Sequence, residues 1–152
     1  MGYGYGAAIG ACIGTEARRP VIHFTGDGSF HMNMNEACTA VSYNVPVITV
    51  IMINQVLGMV HQWQQFFYDR RFASSEPERV TNYKAVAEGF GAKGYRCENL
   101  AQYKTALAEA LKAGGPVWIE CVIDRAENVY PMIPGGKTVD DTIINDPEER
   151  SE

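Results

Sequence analysis

The chain has 152 residues, 46% of them apolar and 20% charged, with a formal net charge of −5. That is one domain's worth of chain, long enough to bury roughly 68–70% of the surface it would expose unfolded. The acidic balance excludes a nucleic-acid binder, because no basic stripe can neutralise a run of phosphates. Arg18-Arg19 and Arg70-Arg71 are isolated pairs that read as solvated loop charges. The longest apolar run, near Val45 to Ile53, is about half of what a bilayer crossing needs, and the opening residues do not form a secretory signal.

In chain order, Met1 to Gly14 is glycine-rich, and Ala7-Ala8-Ile9-Gly10-Ala11-Cys12 reads as a tightly packed helix after a glycine turn. Thr15 to Pro20 is a polar loop, and Val21 to Thr25 is a buried strand. Phe30 to Tyr43 carries helical periodicity through Met34, Cys38 and Val41, closed by Asn44 with Pro46 beyond. Val47 to Ile53 is apolar and mostly β-branched, the pattern of a central parallel strand covered on both faces. Met59 to Phe67 reads as a helix, Asp69 to Val80 as irregular, and Tyr83 to Phe90 as a helix ending at Gly91. A short strand at Tyr95 to Cys97 precedes an amphipathic helix from Leu100 to Ala113, stopped by Gly114-Gly115-Pro116. Val117 to Ile123 is the last strand.

Strands alternating with helices predict an α/β fold, a three-layer α/β/α sandwich around a mostly parallel sheet. Residues 1–124 are expected to form the binding domain, with residues 125–152 a Pro- and Gly-containing tail of the same domain. The four cysteines, Cys12, Cys38, Cys97 and Cys121, stand far apart without zinc spacing. Three of them lie in apolar stretches, where a free thiol packs as a small hydrophobe. A soluble, cytoplasmic protein with reduced thiols is the expectation, with neither nucleic acid nor membrane as partner.

Gly26-Asp27-Gly28 ends the first strand, and Ile53-Asn54 ends the second after 24 intervening residues. Taken alone, Asp-Gly is a turn signal, and Asn54 alone is a strand-end cap. Together, each just past a buried strand, they place two oxygen donors at the carboxyl edge of a parallel sheet, where ligands of such folds sit. Mg²⁺ takes about six oxygens in octahedral geometry and readily shares its shell with phosphates. A carboxylate, an amide oxygen and a backbone carbonyl leave places for diphosphate oxygens and water. Gly28 and Ser29 would offer N–H groups to that anion at the start of the next helix. Gly2-x-Gly4-x-x-Ala7 also matches a dinucleotide fingerprint, but that motif has to follow a strand.

Gly26-Asp27-Gly28 with the distant Asn54 resembles the thiamine diphosphate motif. Further segments sharpen the likeness: Met1-Gly2-Tyr3-Gly4, Ser29-Phe30-His31-Met32-Asn33, Gly58-Met59-Val60-His61-Gln62-Trp63-Gln64, Phe67-Tyr68 and Glu127-Asn128-Val129-Tyr130-Pro131-Met132. Together they are similar, nearly end to end, to the C-terminal domain of the acetolactate synthase (acetohydroxyacid synthase) large subunit. The resemblance implies a thiamine diphosphate-binding fold in which Asp27 and Asn54 hold Mg²⁺ through side-chain oxygens and Val56 through its carbonyl. It implies that Gly26, Gly28 and Ser29 approach the diphosphate, and that Leu57, Gly58 and Met59 also contact the cofactor. Met1 would prop the cofactor into its bent shape, which brings its exocyclic amine next to thiazolium C2. Met59 and Trp63 would line the substrate pocket; four apart on a helix they share a face, and from periodicity alone that stripe reads as core packing.

Three departures stand out. Ile53 replaces the first Asn of the usual pair, and Tyr5-Gly6 replaces the usual Leu-Pro. The family's catalytic Glu, which protonates the pyrimidine, comes from an N-terminal domain of a neighbouring subunit, and Glu36 cannot replace it. The resemblance therefore implies no catalytic residue in this chain, which is expected to be an inactive fragment of a larger enzyme acting on 2-keto acids. FAD would bind only the full-length enzyme, a homo-oligomer with a regulatory subunit as an optional partner. An exposed apolar face is expected, with residues 69–80 and the tail after Asp124 mobile. Two alternatives stay open: a domain of another thiamine diphosphate enzyme (carboligase, acetyltransferase or pyruvate oxidase), or a non-catalytic half of a split enzyme.

Overall fold

The computed structural model describes residues 1–146. They divide into two units, Met1–Gln55 with Glu78–Arg125, and Val56–Pro77 with the described part of Ala126–Glu152. In chain order the elements are α1 (Gly4–Gly14), β1 (Val21–Gly26), α2 (Asp27–Phe30), a 3₁₀ turn (Met34–Glu36), α3 (Ala37–Ser42), β2 (Val47–Ile53) and α4 (Gly58–Phe67). They continue with α5 (Tyr83–Phe90), β3 (Lys93–Cys97), α6 (Leu100–Ala110), β4 (Val117–Val122) and a second 3₁₀ turn (Val139–Asp141). Among the described residues, α4 and the second 3₁₀ turn are the helical elements of the second unit.

The first unit is built on a four-stranded sheet in the order β1-β2-β4-β3, parallel throughout. The two middle strands are buried and mostly apolar because both faces of the sheet are covered there. Val47, Ile51 and Ile53 of β2 join Trp118 of β4 on one side, beneath α1, α3 and α5. Ile48, Val50, Val117 and Ile119 face the other side, where α6 lays Ala106 and Ala110. Helix, sheet and helix form the three layers of an α/β/α unit, the architecture expected.

Helix α1 buries Tyr5, Ala8, Ile9 and Cys12, the i, i+3, i+4, i+7 stripe of a helix with one packed face. Its start at Gly4 rather than Ala7 brings Tyr5 into the core, where the Trp118 indole N–H donates to the Tyr5 hydroxyl at 3.1 Å. Phe30 meets Trp118 edge to face, with ring centroids 4.6 Å apart. Helix α5 can lie close on β3 because the strand carries a glycine there. A Cβ at Gly94 would sit 2.5 Å from the Lys84 carbonyl oxygen.

Two helices differ from expectation. Phe30 to Tyr43 is not one helix but α2, a turn, a 3₁₀ turn and α3. Asn33 (φ −144°) interrupts it, so that Phe30 and then Ala37 and Ala40 can each turn inward. Of the periodic positions, Met34 and Val41 pack partly against the core, but Cys38 is exposed and Ala37 and Ala40 are the buried ones, so periodicity missed the break and with it the inward face. Helix α6 stops at Ala110, three residues early, and a turn carries the chain on to the glycines.

Cys12, Cys97 and Cys121 are buried, Cys38 is exposed, and all four are free thiols. Burial pushes the Cys121 thiol up to about 11. Iodoacetamide at pH 8 is therefore expected to label Cys38 rapidly in the native protein and the other three only after unfolding. Rapid labelling of Cys121 in the native state would contradict this packing.

In the second unit, part of the tail is hydrogen-bonded to α4 at Val129. The Gln62 side chain, 1% exposed, donates to the Val129 carbonyl at 2.9 Å and accepts from the Val129 N–H at 2.8 Å. One side-chain amide thus pairs with a backbone amide as a neighbouring strand would. Met132 and Ile143 close a β-bridge further along. His61 stacks on Phe72 with ring centroids 4.1 Å apart and contacts Glu76 at 3.1 Å, which ties down part of the segment read as irregular.

Candidate functional site

Strands β1 and β2 are neighbours with Gly26 opposite Met52, so the chain leaves both at nearly the same level of the carboxyl edge. Asp27 follows β1 at once and opens α2. Asn54 follows β2, and the next residue, Gln55, turns sharply at φ 61°. That left-handed conformation is uncommon outside glycine. Asp27 and Asn54 line one cleft of about 480 Å³ together with Arg79, Tyr83, Arg96 and Glu120. All of these residues belong to the first unit.

Asp27 is only 2% exposed. Its Oδ1 accepts the Gly28 N–H at 2.8 Å. Its Oδ2 lies 2.9 Å from Arg79 Nη1, near enough for an ion pair but off the hydrogen-bonding direction, and neither atom has a hydrogen-bond partner among the described residues. A buried ionised carboxylate costs several kcal/mol unless a positive charge stands beside it. Here that positive charge is the Arg79 guanidinium. The Tyr83 hydroxyl donates to the Asp27 backbone carbonyl at 3.3 Å. Burial first, then the Asp27 charge, push the Tyr83 phenol up to about 12, so it remains a neutral donor across the physiological range.

Glu120 shares the cleft and is 1% exposed. One of its oxygens pairs closely with the Arg96 guanidinium, and the other accepts the Lys84 backbone N–H at 3.2 Å. The pair links β4 to β3 and to α5.

The remaining sequence-expected residues fall as follows. Gly28 is buried with its N–H engaged by its own neighbour's carboxylate. Ser29 is half-buried, its hydroxyl accepting the Gly2 N–H at 3.0 Å. Gly26 and Met1 are exposed. In the second unit, Val56 is buried, the Leu57 N–H donates to Ser75 at 2.7 Å, and Gly58 opens α4. Met59 and Trp63 line a shallow groove with Val60, Tyr68 and Arg71, and Trp63 meets Phe67 at 5.1 Å between ring centroids. The Met59 and Trp63 stripe is thus a surface groove rather than core.

Sequence reasoning missed four residues. Arg79 stands in a stretch read as irregular, and nothing local announces that its side chain reaches Asp27. Gln62 lies in a helix whose buried residues, His61 and Gln62, are both polar, so no apolar stripe marks it. The Arg96–Glu120 pair left a signal: a Glu inside an otherwise apolar strand needs a cation.

Residues 1–121 match the family described as thiamine pyrophosphate enzyme, C-terminal TPP binding domain. The chain belongs to this family. Curated relatives of this thiamine pyrophosphate enzyme domain include the acetolactate synthase large subunit of Porphyra purpurea, 42% identical over 91% of this chain and 23% of that protein. The acetolactate synthase isozyme 1 large subunit of Escherichia coli (strain K12) is 40% identical over 90% of this chain and 24% of that protein. The mitochondrial acetolactate synthase catalytic subunit of Saccharomyces cerevisiae is 37% identical over 97% of this chain and 21% of that protein. The chain spans less than a quarter of the length of these relatives. Among solved structures, a Rhodococcus jostii RHA1 thiamine diphosphate-dependent 4-hydroxybenzoylformate decarboxylase is similar with a TM-score of 0.73 and 27% identity. That likeness covers 83% of this chain and 24% of the other. Among the described residues, no helix is long and apolar enough to cross a membrane.

Proposed function

We propose that this chain is the metal- and diphosphate-holding domain of an acetolactate synthase large subunit. That enzyme joins pyruvate to a second 2-keto acid, pyruvate or 2-ketobutyrate, in branched-chain amino-acid biosynthesis. The observation that carries the metal assignment is the buried Asp27 carboxylate, whose Oδ2 has no hydrogen-bond partner among the described residues, lining one cleft with Asn54. Hard oxygen donors of this kind suit Mg²⁺. Two side-chain oxygens and one backbone carbonyl would leave the remaining places of an octahedral shell to diphosphate oxygens and water. The residues fit the group.

In this proposal Asp27 and Asn54 hold Mg²⁺ with the Val56 carbonyl, and Tyr83 fixes the backbone of Asp27. Gly26, Gly28 and Ser29 keep the approach to the diphosphate narrow and free of bulk. Leu57, Gly58, Met59 and Met1 contact the rest of the cofactor, and Met59 with Trp63 orient the second keto acid. Thiamine diphosphate supplies an electron sink for decarboxylating a 2-keto acid when it is bound. The Glu that protonates the pyrimidine, the FAD site and any regulatory contact belong to other parts of a cytoplasmic homo-oligomer. An exposed apolar face on the first unit, including Ile22, Phe24, Leu100 and Val122, supports association with such parts.

Titration calorimetry tests the cofactor assignment. Thiamine diphosphate is expected to bind one to one with Mg²⁺ present and to give no measurable heat of binding in EDTA. Equal binding in both conditions would overturn the metal-bridged site.

A further inference from the structure

Arg79 has no part in the motif that marks this site, yet it is the cation that Asp27 meets. Its side chain is 16% exposed against 2% for Asp27, and Nη1 lies 2.9 Å from Oδ2. The contact neutralises charge without satisfying direction, since both facing atoms lack a hydrogen bond among the described residues. A guanidinium normally meets a carboxylate as a fork of two aligned N–H donors. This one meets it as a point charge. A divalent cation demands no N–H alignment and carries twice the charge, so it makes better use of the same oxygen.

We propose that Arg79 is a built-in stand-in for the metal: it neutralises Asp27 in the cofactor-free protein, and the divalent cation must displace it to bind. The inference rests on the metal assignment proposed above. Two consequences follow from the same geometry. Arg79 keeps the domain stable without metal, because a buried carboxylate is never left alone. It also weakens binding of metal by itself, because the ion has to break an existing pair. The displaced guanidinium stays in a cleft that Arg125 also lines, where positive charge favours an entering diphosphate. Metal and diphosphate therefore arrive most favourably together.

The test compares wild type, Arg79→Met and the double variant Asp27→Asn/Arg79→Met, using Mn²⁺ followed by electron paramagnetic resonance and thermal melts. Arg79→Met is expected to bind Mn²⁺ alone at least ten-fold more tightly than wild type. In EDTA it should melt below wild type, with Mn²⁺ raising its Tm by more than it raises the wild-type Tm. The double variant, with no buried charge left unpaired, should recover the EDTA melting temperature and lose Mn²⁺ binding. Arg79→Met that folds only with Mn²⁺ supports the proposal, and Arg79→Met that stays unfolded with and without Mn²⁺ overturns it. Equal Mn²⁺ affinity in wild type and Arg79→Met overturns the stand-in role alone. If neither protein retains Mn²⁺ even with thiamine diphosphate, both the stand-in role and the metal assignment fall.

Discussion

Replacing Asp27 by Asn is expected to lower thiamine diphosphate affinity in the presence of Mg²⁺ by at least about 100-fold. Outer partners of metal ligands already account for 10–100-fold in affinity, and Asp27 is assigned as a ligand itself. It also supplies the only carboxylate in the proposed coordination set. Asn keeps the volume and the Oδ1 acceptor for the Gly28 N–H, so the strand-to-helix turn survives. What is lost is the negative charge at Oδ2. Arg79, mostly buried beside it, then lacks its counter-charge, and stability should fall by about 1–3 kcal/mol. Calorimetry with and without Mg²⁺ reads the first effect, and urea denaturation reads the second. An Asn variant that still binds the cofactor in a Mg²⁺-dependent way would remove Asp27 from the metal site.

Arg96→Met is expected to lower stability, and the effect is asymmetric within its pair. Glu120 is 1% exposed, whereas the Arg96 side chain is 47% exposed. Removing Arg96 strands a buried carboxylate that keeps only the Lys84 N–H, a loss of about 3 kcal/mol. Removing the charge from the other end, by Glu120→Gln, lets the half-exposed guanidinium return to water and keeps an acceptor for Lys84. That change should cost about 1 kcal/mol. Urea midpoints of the two variants decide the matter. Glu120→Gln destabilising as much as Arg96→Met would mean that the pair is not governed by burial of the carboxylate.

Much of the fold was legible because burial leaves a period. Val47 to Ile53 is apolar on both faces, and it is the central strand β2 paired on both sides. Asn82 accepting the Ala85 N–H and Gly91 at φ 94° bracket α5, where the sequence placed a helix ending at Gly91. Legibility failed where geometry rather than period decides. The segment from Phe30 to Tyr43 has helical spacing throughout, but Asn33 breaks it so that Phe30 can reach Trp118. The tail after Asp124 has no period at all, yet Gln62 gives Val129 both of its hydrogen bonds.

At the site the division runs between ligand identity and charge balance. Asp27 and Asn54 could be picked out in sequence because each follows an apolar strand directly, and parallel strands deliver their ends to one edge; β1, expected to be buried, is an edge strand with Ile22 and Phe24 exposed. Chain order alone did not make β1 and β2 neighbours; the sheet order β1-β2-β4-β3 did. Nor could sequence supply the counter-charge, since Arg79 lies 52 positions beyond Asp27 in a stretch without periodicity. An ion pair depends on through-space distance, which local pattern does not encode. The sequence by itself determined the donor chemistry, a carboxylate and an amide at strand ends. The tertiary structure decided that the carboxylate is buried and already faces a cation, because only packing fixes how much water a charge retains and which distant side chain replaces it.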